Sequence, residues 1–169
     1  MNVNEHRIYA RHCGVKAEDR LSIPLIKRCI RAVLDLEGAD MPCEVSVLIT
    51  DDMGISGINH EFRGIDNPTD VLSFPMQEFS PPGWTPPDIR AVDPDTGLLP
   101  LGEIILSAER VGKQAYEYGQ TQRRETAYLT VHSALHLLGY DHADEADGKK
   151  LMREREKQIM QYLRGTGGV

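Results

Sequence analysis

Three of the six histidines in this sequence lie within the stretch 132–142. His132 and His136 are four residues apart, so a helix places them one turn apart on the same face. Gly139 favours a helix end, because glycine adopts a positive φ without steric cost, and a turn there brings His142 back towards the other two. Three imidazoles with an open fourth position form the ligand pattern of a catalytic zinc site.

The chemistry that such a site supports is hydrolysis. Neutral imidazole binds zinc well and also binds nickel, cobalt and iron, so the spacing predicts one Zn²⁺ ion or another divalent transition metal such as Ni²⁺. A divalent ion with an open position lowers the pKa of a bound water towards neutrality. The water then becomes a nucleophile at physiological pH.

The same histidine spacing occurs in the metzincin peptidases, in which a glutamate directly after the first histidine acts as general base. That position holds Ser133 here, and a serine hydroxyl does not take a proton from water at neutral pH. Met152 and Met160 fall on the predicted last helix rather than in a methionine turn. A metzincin-like peptidase is therefore the least favoured hydrolase.

Three further side chains are candidates for catalysis. Asp141 stands beside His142, where it either orients a ligand imidazole and handles protons or simply forms the turn. Glu103 interrupts an otherwise apolar strand, so it either reaches the site or is a satisfied structural carboxylate. Arg63 ends a predicted helix, and a guanidinium suits phosphate because it offers bidentate, permanently charged hydrogen bonds. Composition alone favours a surface role for this arginine.

Two helices carry further cations. Arg123 and Arg124 open the predicted histidine helix, where positive charge opposes the helix dipole. This placement suits an anionic partner, but a solvated helix start is the interpretation that we favour. The predicted last helix is partly basic, but glutamates interrupt its cations, and we interpret it mostly as a solvated face. Its basic residues are Lys149, Lys150, Arg153, Arg155 and Lys157.

Hydrophobic periodicity and capping residues predict the elements that position these side chains. The pattern predicts one α+β (α/β-like) domain over residues 1–164, with a small mixed sheet of about four strands, packed helices, and the metal site on a helix and the following turn. A proline-rich loop at about 77–100 and a disordered tail at 165–169 complete the prediction. Predicted strands cover 5–11, 43–50, 69–74 and 101–107, and predicted helices begin near Ser22, Asp51, Ser107, Thr121 and Asp144.

Composition limits the compartment and the partners. The net charge of −7 argues mildly against broad nucleic-acid binding, although a local basic face can still bind phosphate. No apolar run approaches the roughly 20 residues of a membrane span, and the first residues lack the form of a secretion signal. The three cysteines include no C-x-x-C pair, so we expect reduced thiols. These features predict a cytoplasmic protein with no membrane association.

At 132–142 the sequence HSALHLLGYDH resembles the signature of the YbeY family of bacterial endoribonucleases, also called rRNA maturation factors. The blocks at 58–75 and 101–107 resemble that family as well, in the same order. The resemblance implies a metal-dependent, single-strand-specific endoribonuclease that acts in 16S rRNA 3′-end maturation and ribosome quality control. It also implies zinc on His132, His136 and His142, a functional arginine at Arg63, and single-stranded RNA, 16S rRNA and the ribosome or its small subunit as partners.

This sequence departs from the family pattern in two places. Ser133 stands where the family usually has glycine, and the segment around 80–100 is longer than usual. Within that segment Trp84 either stacks on a base, as aromatic residues do in single-stranded RNA binding, or pins the loop, which we favour. The acidic charge and the missing glutamate base leave a second hypothesis open, a ribosome-associated RNA-binding factor whose metal is structural. The sequence predicts no oligomeric state.

Overall fold

The computed structural model describes residues 5–141 and 146–169. Four strands form one sheet in the order β1-β2-β4-β3. Strands β1, β2 and β4 are parallel, and β3 runs antiparallel to β4 at one edge. This mixed sheet with packed helices confirms the predicted α+β class. The strands are β1 (Arg7–His12), β2 (Cys43–Thr50), β3 (Val71–Pro75) and β4 (Leu99–Ser107).

Five helices within the described ranges connect and cover the strands. Four of them begin directly after a residue at which the sequence predicts a helix start. The side-chain oxygen of that residue accepts a backbone N–H from the first turn, which satisfies one of the unpaired donors there. These caps are Ser22, Asp51, Ser107 and Thr121. The predicted start of the last helix at Asp144 lies outside the described residues. The helices are α1 (Ile23–Leu36), α2 (Asp52–Arg63), α3 (Ala108–Glu117), α4 (Gln122–Leu137) and α5 (Ala146–Gly165).

The two faces of the sheet are buried unequally. Helices α1 and α4 cover one face, and α5 packs on both of these helices. The three helices form the main core with alternate residues of β2 and β4, such as Val47 and Ile104. On the opposite face, α2 covers a smaller cluster around Ile55, Leu72 and Ile105. Because successive strand residues point to opposite faces, only alternate residues of β3 and β4 point towards α4.

Glu37, just after α1, links three parts of the chain that surround the histidine helix. Its carboxylate accepts a hydrogen bond of 2.8 Å from the Tyr140 hydroxyl, in the segment after α4. It also pairs with the guanidinium of Arg155 on α5. This carboxylate therefore holds α1, α5 and the segment that follows the histidine helix together.

The loop between β3 and β4 is anchored rather than free. Trp84 donates a hydrogen bond of 2.9 Å from Nε1 to Oδ1 of Asp40, and its ring packs on Phe79 with centroids 5.8 Å apart. Trp84 therefore pins the loop to the segment that follows α1. Strand β4 begins at Leu99, two residues before the predicted strand, because Leu99 continues the pairing with Cys43 of β2.

The chain end differs from the predicted disorder of 165–169. Arg28 of α1 donates a hydrogen bond of 2.6 Å to the carbonyl of Thr166, and Arg123 of α4 donates one of 2.9 Å to that of Gly168. Gly168 is buried. Tertiary contacts to two helices thus order a segment whose glycine-rich composition alone predicts disorder.

Candidate active site

Helix α4 brings two of the three predicted metal ligands together. The Nε2 atoms of His132 and His136 lie 3.0 Å apart, and the two half-buried rings meet edge to face with centroids 4.6 Å apart. The third predicted ligand, His142, lies outside the described residues. Within 5–141 and 146–169, no group of three or more His, Cys, Asp or Glu side chains is arranged to hold a metal ion.

A buried carboxylate on α5 orients the first histidine. Nδ1 of His132 lies 2.5 Å from Oε1 of Glu156. A carboxylate at that distance favours the tautomer with the proton on Nδ1, which leaves the Nε2 lone pair directed towards His136. The lone pair of a neutral imidazole is what a divalent transition metal binds, so the residues present fit a metal site.

The second oxygen of this carboxylate is also occupied. The Tyr128 hydroxyl donates a hydrogen bond of 3.2 Å to Oε2 of Glu156. Burial, followed by the adjacent Glu156 carboxylate, raises the pKa of Tyr128 to about 12. The hydroxyl therefore stays protonated at neutral pH and continues to donate to Glu156.

Sequence reasoning missed Glu156, although the sequence carries a signal for it. Glu156 shares one face of α5 with Met152, Ile159 and Leu163, all of which are buried. A carboxylate on such an apolar stripe needs a buried partner, because an unpaired charge is costly to bury. That partner is His132, which the sequence does not identify.

The two histidines open onto a cavity of about 720 Å³. Strand β3 forms one wall through Val71, Ser73 and Pro75, and the segment after α4 forms another. Arg63 reaches this cavity from the last residue of α2, which ends in the left-handed turn at Gly64. Sequence reasoning placed Arg63 in the site, and the structure brings it to the same cavity as the histidines.

The arginine is available for a ligand. Arg63 is exposed and forms no ion pair with any residue in the described ranges. Asp70, which also lines the cavity, is occupied elsewhere: it accepts hydrogen bonds of 2.7 Å from the Val71 backbone N–H and 3.1 Å from Nε2 of Gln114. The positive charge of Arg63 therefore faces the cavity without a bound carboxylate.

Only one of the two predicted catalytic carboxylates lies at the cavity. Asp141 is exposed and lines the cavity beside the histidines. Glu103 does not line it. Glu103 pairs with Phe74 and shares its sheet face with Ile105, whereas Ile104, the next residue of β4, faces the core under α4. The option that Glu103 reaches the histidines is therefore wrong, because strand alternation points it to the opposite face.

Gly139 ends the histidine helix as predicted. Its N–H donates a hydrogen bond of 3.0 Å to the carbonyl of His136, and its φ is +87°. A Cβ at this position would lie 2.4 Å from the carbonyl oxygen of Phe79 in the anchored loop. Glycine is thus required twice, once for the backbone angle and once for the close approach.

Ser133 lies on the core side of α4. Its side chain is fully buried, and its Oγ has no hydrogen-bond partner in the part of the chain that the structure describes. It does not line the cavity. Its position agrees with the sequence-based conclusion that Ser133 does not replace a glutamate base.

Comparisons with known proteins place these residues in a family context. The sequence model described as Endoribonuclease YbeY matches residues 12–164. A protein named Endoribonuclease YbeY from Thermoanaerobacter sp. (strain X514) is 44% identical over 140 residues, which cover 82% of this chain and 86% of that protein. Another of that name from Pelotomaculum thermopropionicum is 40% identical over 153 residues, covering 90% and 93%.

A solved structure has a similar fold. The solution structure of TM1509 from Thermotoga maritima superposes with a TM-score of 0.60 at 27% identity, over 94% of this chain and 90% of that one. No helix in the described ranges combines the length and the apolarity needed to cross a membrane.

Proposed function

This chain belongs to the Endoribonuclease YbeY family, and from that membership we propose that it is a metal-dependent endoribonuclease that hydrolyses phosphodiester bonds within single-stranded RNA. One observation carries the proposal: two convergent imidazoles share one cavity with an arginine that makes no ion pair within the described ranges. An arginine binds phosphate well, and imidazoles bind a divalent metal ion well. Metal-assisted hydrolysis of a phosphodiester uses both of these interactions.

We propose Zn²⁺ held by His132, His136 and His142, with Ni²⁺ or another divalent transition metal as a substitute. When bound, such an ion would lower the pKa of the attacking water and stabilise negative charge on the phosphate. Glu156 holds His132 in the tautomer that exposes its Nε2 lone pair. In that tautomer the imidazole proton stays on Nδ1, because the Glu156 carboxylate accepts a hydrogen bond from it there.

The remaining roles fall to two side chains that line the cavity. Arg63 donates hydrogen bonds to non-bridging phosphate oxygens and offsets the charge that develops in the transition state. Asp141 accepts the proton that leaves the attacking water. Glu103 takes no part, since it lies on the opposite face of the sheet.

The substrate that the family resemblance implies is the 3′ end of 16S rRNA, in its maturation and in ribosome quality control. We propose this substrate, on the ribosome or its small subunit, and a cytoplasmic location. The three free cysteines support a reducing compartment.

The test combines metal analysis with cleavage. Purified protein is assayed for bound zinc and incubated with single-stranded RNA carrying the 16S 3′ end and with the same RNA in a duplex. We expect metal-dependent cutting of the single strand, and loss of both metal and cutting in His136→Ala. His60→Ala is the matched control, because His60 is exposed, pairs with Asp66 and does not line the cavity.

Three results would count against the proposal. Cutting by a metal-free His136→Ala protein would exclude the metal mechanism. A metal-loaded wild-type protein that binds the RNA without cutting it would support the ribosome-associated binding factor with a structural metal. Peptide turnover that a chelator stops would instead support the peptidase.

A further inference from the structure

A second groove lies next to the histidine cavity, between the start of α4 and the part of α5 from Arg153 to Arg164. Four exposed cations line it, and none forms an ion pair with a residue in the described ranges. They come from two helices: Arg124 from α4, and Arg153, Lys157 and Arg164 from α5. Tyr128 lines both this groove and the histidine cavity, so the two spaces share a wall.

The concentration of positive charge contrasts with the whole protein, whose net charge is −7. Four like charges facing one groove repel each other, and this arrangement suits an anionic ligand that sits between them. Because glutamates interrupt its cations, the sequence of α5 predicts mostly a solvated face. The structure shows instead that cations from separate helices converge on one depression, which a helix face alone does not predict.

The two carboxylates that line the groove do not neutralise it. Glu156 is occupied by His132 and Tyr128. Glu125 is buried and accepts a hydrogen bond of 3.1 Å from Nε2 of Gln120. Burial, followed by the charge of Asp70, raises the pKa of Glu125. The four cations outnumber these two carboxylates, so the groove keeps a net positive charge.

The spacing of the α5 cations matches a chain of phosphates rather than a single one. From Arg153 to Arg164 the helix advances by about 16 Å at roughly 1.5 Å per residue. Tyr118 and Tyr128 line the same groove with substantial exposure. Cations that follow a backbone, together with aromatic rings on which bases stack, are the usual elements of a single-strand binding groove.

We propose that the α4–α5 groove binds the phosphate backbone of single-stranded RNA beside the bond that is cut, and passes the strand to the histidine cavity over Tyr128. This inference rests on the proposed endoribonuclease function and adds a binding surface to it. The groove positions the strand and takes no part in the chemistry.

The test measures binding and cutting separately. Arg124→Gln/Arg153→Gln removes one cation from each helix, and Arg7→Gln/Arg11→Gln removes two exposed cations from β1 at the far edge of the sheet. Binding of a fluorescent single-stranded RNA of about 16 nucleotides, near the upper end of single-strand site sizes, is followed by anisotropy over a range of salt concentrations.

For the groove variant we expect weaker binding at low salt and a smaller slope of log affinity against log salt. The slope should fall by about 1.4, since each phosphate contact to a single strand contributes roughly 0.7. The β1 variant should keep the wild-type slope. An RNA of about 4 nucleotides, short enough to occupy only the histidine cavity, should be cut at the same rate by all three proteins.

The outcomes distinguish this inference from the proposed function. Equal slopes for the groove variant and wild type, or no RNA binding by wild type, overturn the groove even if cutting is intact. A reduced slope in a protein that cuts no RNA supports the groove and overturns the nuclease function. Equal loss in both double variants shows a general charge effect and overturns the groove.

Discussion

Nδ1 of His132 lies 2.5 Å from Oε1 of Glu156, although the two residues are separated by 24 positions and belong to different helices. The Glu156 side chain is only 8% exposed. A buried carboxylate that fixes an imidazole tautomer keeps the opposite ring nitrogen ready for a metal ion. The relationship makes α5 part of the site, although it carries no predicted ligand.

Glu156→Gln tests this relationship directly. The amide keeps the size of the side chain but accepts the Nδ1 proton less strongly, so we expect the affinity for zinc to fall by about 10- to 100-fold. Competition with a fluorescent zinc chelator measures it. Glu154→Gln, an exposed neighbour on the same helix, is the control and should bind zinc like wild type. Equal affinities in the two variants would exclude the proposed role of Glu156.

Arg63 should affect the reaction without affecting the metal. In Arg63→Ala we expect single-strand cleavage to fall by about 10²- to 10³-fold, the usual cost of removing one donor that stabilises transition-state charge. Zinc content and melting temperature should stay unchanged, because Arg63 is exposed and makes no ion pair within the described ranges. Arg11→Ala on β1 is the control. Unchanged cleavage in Arg63→Ala would remove this arginine from the mechanism.

Local signals predicted much of the fold. The caps at Ser22, Asp51, Ser107 and Thr121 act within one helical turn, so their hydrogen bonds depend on residues three positions away and can be read from sequence. The order of the strands cannot be read in this way, because β4 inserts between β2 and β3 through pairing of residues far apart in sequence.

The same limit explains the candidate site. His132 and His136 were predicted together because a helix repeats every 3.6 residues. Glu156 was missed because its contact with His132 depends on how α5 packs across α4. Glu103 was open to two interpretations. Alternation along β4 predicts that Glu103 and Ile104 point to opposite faces of the sheet, but it does not predict which face meets the histidine helix.

Gly139 should tolerate no side chain. In Gly139→Ala the Cβ would lie 2.4 Å from the Phe79 carbonyl and the φ of +87° is strained, so we expect the free energy of unfolding to fall by about 2 kcal/mol or more. Gly119→Ala is a matched control, since Gly119 has φ +63° and open space around it. Its cost should be limited to the backbone, about 1 kcal/mol. Urea unfolding compares them, and equal losses would show that the contact with Phe79 does not matter.

Because two thiols are buried, we expect the free energy of unfolding to fall at alkaline pH. Burial raises the pKa of Cys29 and of Cys43 from 9.0 to about 12. Between those values the unfolded chain has released these protons and the folded chain retains them, so the free energy of unfolding falls as pH rises. Urea unfolding across that interval measures the slope. Under native conditions iodoacetamide should modify exposed Cys13 alone, and rapid modification of Cys29 would contradict its burial.

Ser133 offers a change that should stabilise the protein. Its hydroxyl is fully buried on the core side of α4 without a partner in the described ranges, so the folded state carries the cost of its desolvation. We expect Ser133→Ala to raise the free energy of unfolding by about 1 kcal/mol, aided by the higher helix propensity of alanine. Zinc content should not change. Thr130→Val in the same helix should instead destabilise by about 1 kcal/mol, because the Thr130 hydroxyl donates a 2.7 Å hydrogen bond to the Thr126 carbonyl. Destabilisation by Ser133→Ala in urea unfolding would show that the hydroxyl has a partner after all.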